Sequence, residues 1–151
     1  MKSFILLLFV TFITPIYSQI KIDDVGDGWK LRVDSAVTLI KNIDSEKYEY
    51  LTEVCNHISY WNGGFSTIED TSTILITQRD MLYGSINNIA AIIIHESKHL
   101  FYLKNHIQLP PHEEELRCYK YELSFLTKIP NVEPWLISNA KDKIKLYSSL
   151  D

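Results

Sequence analysis

The stretch Ile89-Ala90-Ala91-Ile92-Ile93-Ile94-His95-Glu96-Ser97-Lys98-His99 decides how the rest of this chain is read. The apolar positions Ile86, Ile89, Ala90, Ile93 and Ile94 recur at helical spacing. Ser85, just before them, is the natural N-cap, so the stretch predicts one helix running to about Leu103. On such a helix His95 and His99 lie one turn apart on the same face, and both imidazoles reach a single metal ion. Glu96 falls between them, where its carboxylate can act on a metal-activated water and not on the metal itself. Two histidines suit a zinc site that takes a third protein donor and keeps one position open.

Working outward, Thr73-Ile74-Leu75-Ile76-Thr77 is a short β-branched run and reads as a buried strand before the metal helix. Phe65 to Ile68 reads as a short strand turning at Glu69-Asp70 into it. Further back, residues 19–33 read as a polar lead-in, with a helix starting at Asp34 or Ser35. Asp44-Ser45-Glu46 looks like a second N-cap. Tyr48, Leu51, Val54, Cys55 and Ile58 then recur at helical intervals of three and four residues, which predicts a helical stripe ending at Asn62-Gly63-Gly64. Beyond the metal helix, Pro110-Pro111 stops any helix and sets up a new one from His112 to Thr127. A last helix follows Pro134, with Trp135, Leu136, Ala140, Ile144 and Tyr147 on its apolar side. The expected fold class is α+β, mostly helical, with one small sheet beside the metal helix.

Strand, short connection and a helix bearing His95-Glu96-Ser97-Lys98-His99 resemble the zincin metallopeptidases, whose helix supplies two zinc ligands and the general base. The resemblance covers roughly residues 73–123. It implies a zincin-like core, a Zn2+ cofactor, Glu96 as general base and a peptide or protein substrate. It also implies that a strand beside the active helix pairs with extended peptide, here the 73–77 run. The metzincin pattern, with a histidine six residues after the second one and a glycine midway, is not met, because Asn105 and Tyr102 hold those positions.

The remaining donor is expected on the next helix, which begins Glu113-Glu114-Glu115. At 100° per residue the stripe Leu116, Tyr119, Leu123 and Leu126 sets its core face, placing Glu115 near that face, Glu113 at its edge and Glu114 nearly opposite. A carboxylate pointing inward is costly without a cation beside it. The segment Glu115-Leu116-Arg117-Cys118 also resembles the E-x-x-A element of gluzincins, with Cys118 in the place of Ala. Glu115 is therefore the expected third ligand, with Glu122, one heptad on, as the alternative. His106, His112, Tyr102, Tyr119 and Tyr121 are candidates to stabilise an oxyanion.

The first eighteen residues combine a short basic start, an apolar run from Phe4 to Pro15 and a small residue at Ser18, the pattern of a secretory signal cleaved after Ser18. That leaves residues 19–151 as a single domain, exported to a periplasmic or extracellular space. Loss of Lys2 with the signal takes the net charge from −4 to −5. No basic block exists, which argues against nucleic acid as a partner and against membrane contact beyond export. Cys55 and Cys118 are the only cysteines. In an oxidising compartment they are expected to pair as one disulfide, the alternative being two buried thiols that behave as small apolar residues. Beside the hydrolase stands a second reading, an exported binding or structural module whose zinc merely staples a small fold.

Overall fold

The computed structural model describes residues 20–150, so the proposed signal segment lies outside the described residues. Six helices and a four-stranded sheet make up this part, an α+β fold as expected. Strand β1 (Lys21–Ile22) leads into α1 (Trp29–Ile43), α2 (Ser45–Val54) and β2 (His57–Trp61). Then come β3 (Thr67–Ile68), β4 (Thr73–Thr77), α3 (Gln78–Tyr83), α4 (Ile86–Lys104), α5 (Pro111–Leu126) and α6 (Pro134–Tyr147).

The sheet order is β1-β2-β4-β3. β2 runs parallel to both β1 and β4, in register from His57 opposite Thr73 to Trp61 opposite Thr77. β3 pairs antiparallel to β4, with Thr67 opposite Leu75. All five residues of β4 are buried, which is why Thr73-Ile74-Leu75-Ile76-Thr77 reads as a continuous run and not as an alternating one. This corrects the expectation that 73–77 pairs with substrate. β4 is bonded on both sides, and the free edge on that side of the sheet is β3.

α4 is the central helix. Ser85 caps it, its hydroxyl accepting from the Asn88 amide at 3.1 Å. Ile89, Ala90, Ile93, Ile94 and Leu100 are buried in the core with Val33, Ala36 and Ile40 of α1 and with Phe125 and Leu126 of α5. Asp44 caps α2 through the Lys47 amide at 3.3 Å, as the acidic cap signal predicts.

Three boundaries differ from expectation. α1 starts five residues before Asp34, immediately after Gly28, whose left-handed φ of 74° turns the chain without a side-chain cap. Glycine enters that conformation without strain, so the usual cap residues were no guide. The stripe through Ile58 is not one helix: α2 ends at Val54, Cys55 is extended, and Ile58 faces the core from β2. The connection after β4 holds α3, a short helix capped by the Thr77 hydroxyl on the Asp80 amide at 3.1 Å.

The disulfide expectation is also corrected. Cys55 and Cys118 are both free and both buried. Cys55 follows the end of α2, with its sulfur 3.2 Å from the carbonyl of His57, whereas Cys118 lies on α5 beside the two α4 histidines. No helix among the described residues is long and apolar enough to cross a membrane.

Candidate metal centre

α4 presents His95 and His99 one turn apart, and α5 lies against that face. The two Nε2 atoms face each other 3.3 Å apart. Glu115 stands opposite them, with Oε2 at 3.5 Å from His95 Nε2 and Oε1 at 3.5 Å from His99 Nε2. In a tetrahedral shell with zinc–nitrogen distances of 2.0–2.1 Å, neighbouring donors stand about 3.3–3.4 Å apart. The three separations lie close to that requirement, each imidazole facing its own oxygen of Glu115, so these donors suit a zinc-sized cation. The sulfur of Cys118 is a further donor: it and one ring nitrogen from each histidine lie within 4.8 Å of one another.

Both far nitrogens are held by carboxylates. His95 Nδ1 meets Glu122 Oε2 at 2.9 Å, and His99 Nδ1 meets Glu114 Oε1 at 2.6 Å. Such bonds fix the tautomer and aim each Nε2 at the centre, the usual arrangement behind metal-ligating histidines. Glu122, the alternative ligand, therefore stands behind His95. Glu114 corrects the expectation that it points away. A helical wheel tracks only the Cα–Cβ direction, and two methylenes let this carboxylate swing round to His99. The buried stripe of α5 is Cys118, Glu122, Phe125 and Leu126, slightly rotated from the predicted one.

Burial sets the electrostatics. Glu96 is only 8% exposed. Desolvation pushes its carboxyl up to about 8; His95 opposes this, and the charges of Glu115, Glu122 and Asp80 add to it. For His95 burial is the largest influence and works against the charged ring. Hydrogen bonds that the charged ring donates to Glu115 and Glu122 outweigh it and push the imidazole up to about 10. Glu115 is held below the usual carboxylate range, first by its bond to His95. The site is thus built to stabilise positive charge between the imidazoles, and a proton and a metal cation compete for it.

Two hollows open on the centre and share Ser66, His95, Glu96 and Tyr119. One, of about 230 Å³, is polar, with Asp80, Asn88 and Asn139 in its wall. The other, of about 370 Å³, is bounded by Phe65, Ile68, Glu115 and Tyr147, so the β3 edge forms its rim. Among the oxyanion candidates, Tyr119 is the one at the centre, its ring 4.4 Å from that of His95 and stacked on Tyr147. Tyr102 and Tyr121 belong to a different structure. With Tyr50 and Phe101 they surround the Lys98 ammonium at 4.5–5.3 Å from each ring centroid. His106 is exposed beyond the end of α4, with a left-handed φ of 53°.

Compared with known protein families, with curated proteins and with solved structures, the chain matches none. Its function is therefore argued from the geometry alone. The roles of Glu114 and Glu122 as supports for the histidines, and Cys118 beside them, are what sequence reasoning missed. The heptad from Glu115 to Glu122 did signal a shared side for those two.

Proposed function

We propose that this chain is an exported zinc-dependent metallopeptidase of zincin type, with His95, His99 and Glu115 as metal ligands and Glu96 as general base. The observation that carries the reading is the closed set of distances among two Nε2 atoms and the Glu115 carboxylate, backed by a carboxylate on each Nδ1. A helix bearing these groups against a small sheet, with a groove along an unpaired strand edge, also suits a zincin-like core.

Bound zinc would bring water toward ionisation near neutral pH and polarise a substrate carbonyl. A cation held beside buried Glu96 would counter the upward push of desolvation and keep it a carboxylate, able to accept the proton of the attacking water and deliver it to the leaving amine. The β3 edge offers backbone groups to an extended peptide, which would lie across the larger hollow. Tyr119, whose ring packs against that of His95, is the candidate to support the developing oxyanion. Glu114 and Glu122 hold the two imidazoles in their coordinating tautomer.

Two measurements test this. Metal analysis of the purified protein should find about one zinc per chain, lost in His95→Ala and His99→Ala. Glu96→Gln should keep the zinc while peptide hydrolysis falls by about 10²–10⁴-fold, the range for a general base. A zinc-loaded wild type that cleaves nothing in a broad peptide library would leave the second reading, a zinc-stapled module. One observation favours that alternative: the sulfur of Cys118 clusters with His95 and His99, and a set closed by protein donors is the mark of structural zinc.

A further inference from the structure

We propose that Cys118 is a thiolate ligand that occupies the fourth coordination position and keeps the resting metal centre closed. This rests on the metal-site reading above and adds the regulation of that site. Cys118 follows Glu115 by three residues, so both project from one side of α5 toward the same pair of imidazoles. Its sulfur lies within 4.8 Å of a ring nitrogen of each histidine. In a tetrahedral shell a thiolate and an imidazole nitrogen stand about 3.6 Å apart, given zinc–sulfur and zinc–nitrogen distances of about 2.3 and 2.0–2.1 Å. Shortening from within 4.8 Å to about 3.6 Å would seat the sulfur on the metal beside the imidazoles. The sulfur is fully buried and unpaired with Cys55, so it is available to the centre and shielded from bulk oxidants.

The coordination step balances simply. The S–H proton passes to solvent, a sulfur–metal bond forms, and the water that held that position leaves. With His95, His99, Glu115 and Cys118 all bound, no position remains for substrate water. Hydrolysis then requires the sulfur to dissociate, and Cys118 acts as an internal latch. A purely packing role, with sulfur as a small apolar filler, is the competing account.

Cobalt substitution separates them without measuring activity. The full mature protein is stripped of metal and loaded with Co2+ alone. Imidazole and carboxylate ligands give visible ligand-field bands, and a thiolate ligand adds a near-ultraviolet sulfur-to-cobalt charge-transfer band. The expected result is both features in wild type, with the charge-transfer band lost and the ligand-field bands kept in Cys118→Ala and Cys118→Ser. Circular dichroism confirms that these variants are folded. The wild-type spectrum decides the matter even if they are not. Ligand-field bands without a charge-transfer band in wild type would overturn the latch and leave the metal site standing. A charge-transfer band that survives in a folded Cys118→Ala would overturn it too, since the sulfur would belong to Cys55. Absence of any cobalt spectrum would overturn the metal reading and the latch together.

Discussion

Glu113, Glu114, Glu115 and Glu122 are chemically identical side chains on one helix, yet their surroundings assign them different work. Glu115 faces both Nε2 atoms, Glu114 and Glu122 each hold an Nδ1, and Glu113 pairs with Arg117 on the exposed side. Glu115→Ala should therefore remove most zinc binding. Glu114→Ala and Glu122→Ala should each weaken it by about 10–100-fold, as losing a support for a ligating histidine does. Glu113→Ala should leave affinity unchanged, because an exposed ion pair contributes little. Competition against a chelator of known affinity ranks the four, and a loss in the Glu113 variant equal to that of Glu114 would contradict the assignment. The thiols are distinguishable in the same way. Burial pushes Cys55 up to about 12, so iodoacetamide at pH 8 should leave it unmodified in the native protein. Both cysteines should alkylate once the chain is unfolded without reductant, and a mass showing neither modified would restore the disulfide.

At the scale of elements, β1 is held to β2 by more than its short ladder. Asp23, just after β1, accepts from the Ser59 hydroxyl at 2.5 Å and meets His57 Nε2 at 2.8 Å. The Ser59 bond is the main reason its carboxyl is held below the usual range, with His57 also contributing and burial opposing. A carboxyl with a depressed folded pKa stabilises the fold above its unfolded pKa and loses that contribution as pH falls through the folded value. Asp23→Asn should thus be less stable than wild type near neutral pH, and the gap should close below about pH 4. Denaturant melts across that range would show it, and a gap independent of pH would refute it. The same segment explains what could be read beforehand. Strong local signals survived: the Asp44 and Ser85 caps, the prolines opening α5 and α6, and the buried run of β4 all stand where the residues put them. What failed had no local marker. Nothing breaks the chain between Val54 and His57, and Ile58 extends a helical spacing while lying in a strand. For the site, the pentad delivers its three residues by helix geometry alone. Which acids support them depends on how α5 crosses α4, and no single helix contains that information.

For the molecule as a whole, the candidate centre joins α4 to α5 through its His–Glu pairs. Binding zinc to the folded form alone should stabilise it by about 2.7 kcal/mol when free metal is 100 times its dissociation constant. For a domain of this size that corresponds to a rise of about 5–10 °C in Tm, reversed by EDTA. Identical melting curves with zinc and with EDTA would mean the distances in the site do not report a metal. The ring-lined seat of Lys98 bears on the same centre from an adjoining flank of α4. Lys98 precedes His99 by one residue, and its ammonium rests among Tyr50 of α2, Tyr121 of α5 and two aromatics of α4 itself. α4 therefore cannot roll about its long axis without dragging that charge out from between rings anchored on its neighbours. The azimuth of the two imidazoles is set by a keyway about a quarter-turn round the helix, and the aim of the candidate centre is fixed by rings that belong to none of its proposed ligands.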